Sequence, residues 1–173
     1  MKVLFAAAEA HPFIKIGGLG DVAYALPKAL RRIGIDARVI LPKYGSIPEN
    51  FKNSMQTIAT FNVPVGWRNQ YGGLQYMEYD GVPFYFIDNE YYFFRDGIYG
   101  LYDDGERFSF FCKAILEVLP LIDFKPDIIH LNDWQTGMVS VLLDAHYRNR
   151  DGGFYKNIHT LYTIHNLKYQ GIF

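Results

Sequence analysis

Apolar residues recur along this chain in two alternating rhythms, unbroken short runs and stripes of helical period. Lys2–Ala8 is an apolar run that reads as a buried strand ending in a long excursion, Glu9–Gly20. Beyond it Val22, Ala25, Leu26, Ala29, Leu30 and Ile33 fall at positions 0, 3, 4, 7, 8 and 11 of a stripe, the spacing of an amphipathic helix. Asp21 stands where an N-cap carboxylate belongs and Gly34 where a helix stops. Pro27, inside the stripe, removes one backbone bond and is expected to bend the helix. Ala37–Leu41 is a second apolar run, closed by Pro42.

The middle of the chain changes rhythm. Met55–Val65, Leu74–Tyr79 and Val82–Ile87 are strand-like, and Asp80-Gly81 is a two-residue hairpin signal, so an antiparallel insertion on the edge of a sheet is expected. Asn89–Asp104, aromatic and rich in glycine, reads as a long loop. A helix over 106–119 with Phe108, Phe111, Cys112, Ile115 and Leu119 inward, a strand over 127–131, a helix over 136–148 and a strand over 159–164 follow. Strands alternating with helices predict an α/β, Rossmann-like, doubly wound and mostly parallel sheet with right-handed crossovers. The chain stops just after its last strand, at Gly171-Ile172-Phe173, and is read as the N-terminal part of a longer protein.

Composition narrows the function. Lys and Arg total 17 against 18 Asp and Glu, so no net positive field is present to hold nucleic acid or an anionic membrane. The single cysteine excludes an internal disulfide framework and fits a reducing, cytoplasmic setting. MKVLFAAAEAHP imitates a signal peptide, but Glu9, His11 and Pro12 interrupt an apolar run that should continue for ~7–15 residues. No stretch approaches the ~18 apolar residues of a membrane span. Aromatic residues make up 17% of the chain; most must be core, and a surplus of Tyr and Trp on loops would also suit packing against sugar rings.

In open parallel sheets ligands bind beyond the carboxyl ends of the strands, and three polar stretches fall there: EAHPFIKIGGLGD, HLNDWQT and TIHNLKYQG. In the first, Gly17, Gly18 and Gly20 before a helix suit close approach of an anion, with Lys15 adding charge, or simply a turn with a solvated lysine. A dinucleotide fingerprint is disfavoured: eight residues, Glu9–Ile16, separate strand from glycines, and no acid tips the second strand at Leu41-Pro42-Lys43. No Gly-Lys-Ser/Thr supports a P-loop. His130, His165 and Asp133 lack the spacing of a zinc site. Strand-end His130, with Asn132 and Asp133 beyond it, and His165, with Asn166 beside it, suit hydrogen bonds to hydroxyls, and Trp134 reads either as a stacking face for a sugar or as packing beneath the next helix.

KIGGLGDV, residues 15–22, resembles the K-x-G-G-L-G-D-V motif of bacterial glycogen synthases and plant starch synthases, and AEAHPFIKIGGLGD, LPKY, ERFSFFCKA, HLNDWQT and TIHNLKYQGIF resemble that family's N-terminal domain in the same order, over residues 2–173. The resemblance implies the first of two Rossmann-like domains of a retaining glucosyltransferase. That enzyme would move glucose from ADP-glucose to the non-reducing end of an α-1,4-glucan, without metal or other cofactor. It implies catalytic roles for Lys15 and His165, donor binding by Lys15, Gly17, Gly18, Asp21, His165 and Asn166, and acceptor contacts from Glu9, Asp133, Trp134 and Tyr92, with Tyr91 beside it. The C-terminal nucleotide-binding domain would be missing, so little activity is expected of this chain alone. The rival reading is a stand-alone carbohydrate-binding module, which has no need of a phosphate cradle.

Overall fold

The computed structural model describes residues 1–172; Phe173, which ends the last family-like motif, lies outside the described residues. In chain order the elements are β1 (Lys2–Ala6), α1 (Gly18–Arg32), β2 (Asp36–Pro42), α2 (Glu49–Lys52), β3 (Gln56–Val65), β4 (Arg68–Tyr79), β5 (Val82–Asp88), α3 (Glu90–Phe93), α4 (Asp104–Val118), β6 (Ile128–Asn132), α5 (Trp134–Leu142) and β7 (His159–Thr163). The strands form one sheet in the order β3-β4-β5-β2-β1-β6-β7. From β5 to β7 neighbouring strands are parallel, and β3 and β4 extend the sheet antiparallel at one edge. The expected doubly wound sheet with an antiparallel hairpin is the observed one. Both residues of the Asp80-Gly81 turn have positive φ, 51° and 74°, as a tight hairpin between β4 and β5 demands.

Burial follows the unbroken runs. Val3–Ala6 of β1 and Val39–Leu41 of β2 are enclosed at the centre of the sheet. The face of α4 reading Phe108, Phe111, Cys112, Ile115 and Leu119 points inward as the periodicity predicts. The surplus of aromatics is largely core. Phe13, in the excursion after β1, meets Phe51, Tyr79, Phe84 and Phe86 edge-on at 4.8–5.7 Å. Burying such a ring contributes about 1.5–3 kcal/mol, which pins the excursion to the body of the domain. Among the described residues no helix is long and apolar enough to cross a membrane.

Several boundaries differ from the sequence reading. α1 begins at Gly18, so Asp21 lies in its first turn and Gly17, in extended conformation, occupies the cap position. Its buried face is Leu19, Gly20, Ala23 and Pro27, while Ala25, Ala29 and Ile33 of the expected stripe are exposed. Alanines weigh little in such a stripe, and the ring of Pro27 packs inward as an apolar side chain. β4 starts at Arg68 because Arg68–Gly73 pair with β3 despite two glycines. The loop expected over 89–104 contains α3, whose start is capped by Asn89 accepting from the Tyr92 N–H at 3.0 Å. The last helix starts at Trp134, two residues early, and after Leu142 widens into a turn in which the Arg148 N–H reaches Leu143 O at 2.8 Å.

Candidate active site

Two clusters stand at the carboxyl ends of adjacent strands β1 and β6, and Asn132 joins them. The first is built by the excursion after β1. Glu9, 3% exposed, turns its carboxylate onto the Ile16 N–H and onto the Gly17 N–H at 3.2 Å. It therefore organises the glycine loop from beneath and sits beside the positive end of α1. The His11 N–H donates to Gly20 O at 3.0 Å, which ties the excursion to the helix it precedes. Lys15 bridges back to Asp21 at 2.7 Å, with both side chains half in solvent. Gly20 is the glycine this arrangement needs: a Cβ there would lie 3.0 Å from Lys15 Cγ. Gly18, by contrast, has nothing within 4 Å of where a side chain would begin, so its backbone is open to a ligand.

The second cluster ends β6 and β7. The Asn132 side chain is fully buried and donates from Nδ2 to Ala6 O on β1 and to His130 O, both at 3.1 Å. Those two carbonyls fix the amide, so Oδ1 faces His165 Nε2 at 2.8 Å and that nitrogen carries the proton. Nδ1 is the ring nitrogen turned away from this bond. Asp133 holds the same corner. Its φ of 58° is unusual for a residue with a side chain, and three bonds maintain it: its N–H to Thr163 O at 2.9 Å, its Oδ1 accepting from the His165 N–H at 2.7 Å, and its carbonyl accepting from the Thr136 N–H at 3.2 Å. Such backbone strain, of order 1–3 kcal/mol, collects at functional sites. His130 bonds Thr163 Oγ1 at 2.8 Å and packs on Phe5; burial first, and His165 second, hold its imidazole below the ordinary value. Asn166 lies exposed just beyond, its Oδ1 accepting from the Lys168 N–H.

A third segment packs on α4. The loop before α4 carries Tyr99, whose ring rests on Phe108. Burial raises the Tyr99 hydroxyl, with smaller contributions from Tyr44, Glu9, Asp133 and Asp104. Asp104 accepts from the Gly100 N–H at 2.7 Å and from the fully buried Arg107 at 2.6 Å, fixing the loop to α4. Sequence reasoning offers Asn132 only as a hydroxyl contact and passes over Tyr99 and Arg107. An Arg in a helical run reads as a solvated charge, and only its place between Phe108 and acidic Asp104 hints otherwise.

Other expected positions fall differently. Tyr92 is fully buried, its ring against Phe110 and its hydroxyl on Glu106, so it is a core residue that the rim does not gather. Glu9 points at backbone rather than outward. Trp134 meets Phe108 edge-to-face at 5.0 Å, and the chain at Gly171 passes so close that a Cβ there would lie 2.8 Å from the indole. The packing reading therefore describes Trp134, with part of the ring still exposed. Lys15, Gly17, Gly18, Asp21, Asp133, His165 and Asn166 share the two neighbouring clusters.

Residues 2–173 match the family model described as the starch synthase catalytic domain. The chain belongs to that family. A glycogen synthase of Clostridium acetobutylicum is 65% identical over the whole chain, and one of Caldicellulosiruptor bescii is 61% identical. In each case the chain covers 36% of the relative, so it spans about a third of the length of the curated relatives it matches. Among solved structures, the catalytic domain of Starch Synthase IV from Arabidopsis thaliana, bound to ADP and acarbose, superposes with a TM-score of 0.87 at 34% identity, over 98% of this chain and 34% of that one. For a starch synthase domain, the glycine loop, the Asn132–His165 pair and the strained Asp133 are three sequence motifs brought to one edge of one sheet.

Proposed function

We propose that this chain is the N-terminal half of the catalytic cleft of a glycogen synthase, a hexosyltransferase moving glucose from ADP-glucose to the non-reducing end of an α-1,4-glucan. The observation that carries the reading is that the Asn132–Asp133–His165 corner is bonded, through Asn132 to Ala6 O, to the end of β1, the strand whose following excursion carries the glycine loop. The relative solved with ADP and acarbose, a nucleotide and an oligosaccharide, supports a nucleotide-linked donor and a glucan acceptor. The binding-module alternative gains no support from relatives named glycogen synthase.

The roles follow from the chemistry. As the bond from the anomeric carbon to phosphate breaks, negative charge grows on the departing ADP. Lys15 and the N-terminus of α1, open at Gly18 and held at Gly17 by Glu9, offer positive potential where that charge develops, and preorganised groups of this kind lower a barrier most. Lys15 leaves its exposed bridge to Asp21 at little cost, since such surface pairs contribute about 0–1 kcal/mol. His165, oriented by Asn132 and by the Asp133 carboxylate, presents Nδ1 to a hydroxyl of the donor glucose, with Asn166 beside it. Asp133 and the exposed part of Trp134 lie toward the acceptor, and an acceptor hydroxyl takes the place of ADP with retention at the anomeric carbon, its proton leaving with the departing phosphate. A second α/β domain supplies the other wall and the contacts to the base.

The test is ADP release from ADP-glucose with a maltooligosaccharide acceptor. The full-length protein turns over, residues 1–173 alone do so little or not at all, and NAD gives no heat of binding. Turnover by the isolated chain, or none by the full-length protein, overturns the reading.

A further inference from the structure

Arg107, in the first turn of α4, is 0% exposed, and its donors are only partly answered. Nη1 donates to Asp104 Oδ1 at 2.6 Å and Nε to Tyr92 O on α3 at 2.7 Å, while Nη2 has no partner among the described residues. The guanidinium lies 5.7 Å from the centroid of the Phe93 ring and 5.4 Å from that of Phe108. A buried ion pair of this kind adds little to stability, and apolar residues of similar volume commonly serve a core as well or better. What the pair holds is another matter. The second Asp104 oxygen accepts from the Gly100 N–H at 2.7 Å, so one carboxylate ties the segment before α4 to the arginine. That segment turns through Gly97 and Gly100 at φ of 99° and 80°, conformations that glycine adopts freely and that its own backbone does little to enforce.

We infer that Arg107 is a positioning residue for the glucan acceptor. It touches no sugar and acts through three rings. By holding Gly100 through Asp104, it keeps Tyr99, the preceding residue, on Phe108 at 6.1 Å between centroids, and Phe108 in turn meets Trp134 edge-to-face at 5.0 Å. Trp134 is the ring placed toward the acceptor, so the inference rests on the glycogen synthase reading for its ligand. An apolar side chain would fill the same volume but could not hold a carbonyl on α3 and a carboxylate on α4 at once, as the fixed guanidinium fork does. The donor side is built from other bonds. Lys15 pairs with Asp21, the glycine loop rests on Glu9, and His165 is held by Asn132 and Asp133, none of which involves Arg107. A fault at Arg107 is therefore felt by the acceptor and not by the donor.

The experiment uses the full-length protein, a double variant carrying Asp104→Leu and Arg107→Met, and a single Arg107→Lys variant. The double variant removes both charges together and so leaves neither buried alone. Initial rates of ADP release are measured with maltotriose and with ADP-glucose as the varied substrate, and stability is read as a urea midpoint. The double variant is expected to raise the KM for maltotriose about tenfold, as a misplaced binding group does, and to leave kcat and the KM for ADP-glucose within about twofold of wild type. Its urea midpoint stays close to that of the wild type. In a Trp134→Ala background the same two changes add no further rise, because the effect travels through that ring. Arg107→Lys, which keeps a cation beside Asp104 without the fork, raises the maltotriose KM by a smaller factor. An unchanged maltotriose KM in the folded double variant overturns the proposal, as does an equal rise for both substrates. A full rise in the Trp134→Ala background, or loss of folding in both variants, overturns it too. Absence of ADP release by the wild type counts against the catalytic reading instead, because maltotriose affinity is also read by calorimetry without turnover.

Discussion

Replacing Asn132 with leucine removes a side chain that joins β1 and β6 to His165, just beyond β7, while keeping its branched shape. Three hydrogen bonds disappear: two donated to Ala6 O and His130 O, one accepted from His165 Nε2. At about 0.5–1.5 kcal/mol each, and with the residue fully buried, the loss of stability is about 2–4 kcal/mol. Urea unfolding of the chain followed by circular dichroism reads this as a lower midpoint at constant slope. Asn132→Asp separates the two jobs of the amide. It keeps an acceptor for His165 but sets a carboxylate oxygen against two carbonyls, so it destabilises at least as much as leucine while holding the imidazole. In the full-length enzyme Asn132→Leu then costs turnover through His165, and its effect does not add to that of His165→Ala. An Asn132→Leu chain within about 0.5 kcal/mol of wild type would show that the rim is held some other way.

Three further outcomes are expected. Gly20→Ala places a Cβ 3.0 Å from Lys15 Cγ, so despite the ~1 kcal/mol helix preference for alanine it displaces Lys15 and raises the KM for ADP-glucose tenfold or more in steady-state kinetics; an unchanged KM would free Gly20 of this role. The Cys112 thiol, pushed up to about 12 by burial, stays unlabelled by a disulfide reagent in the native protein and reacts on unfolding, whereas prompt native labelling would contradict its enclosure. Because the folded state lowers the His130 value, the unfolded chain binds the extra proton: stability is full above the unfolded value of about 6.5 and falls as pH drops through the lower folded value, and His130→Asn flattens that part of the stability curve.

The sheet was legible because continuous apolar runs such as Lys2–Ala6 and Val39–Leu41 belong to strands buried on both faces, and because Asp80-Gly81 has few other conformations open to it. The site was legible at the level of stretches, since the exit of a parallel strand is where polar residues must serve a ligand. What individual side chains do there was not. Glu9 reads as a free carboxylate until the loop folds over it and offers the Ile16 and Gly17 N–H groups. Tyr92 looks like a loop aromatic, but the short helix α3 turns it beneath the surface onto Glu106. Asn132 reads as one of several possible hydroxyl contacts, and only the parallel register of β1 with β6 brings Ala6 O to its amide. The start of α1 was placed four residues late because Asp21 is a good cap by type, whereas the loop is held by a carboxylate twelve residues earlier.

The claim on which the function depends is that Lys15 and His165 act on one donor molecule from adjacent strand exits. Steady-state kinetics of the full-length enzyme with ADP-glucose as the varied substrate weighs it. Lys15→Ala is expected to lower kcat/KM about a hundredfold or more, the size seen when a group stabilising developing charge is removed, and His165→Ala to lower kcat comparably. Values within about threefold of wild type for either variant, with the fold intact, would contradict it.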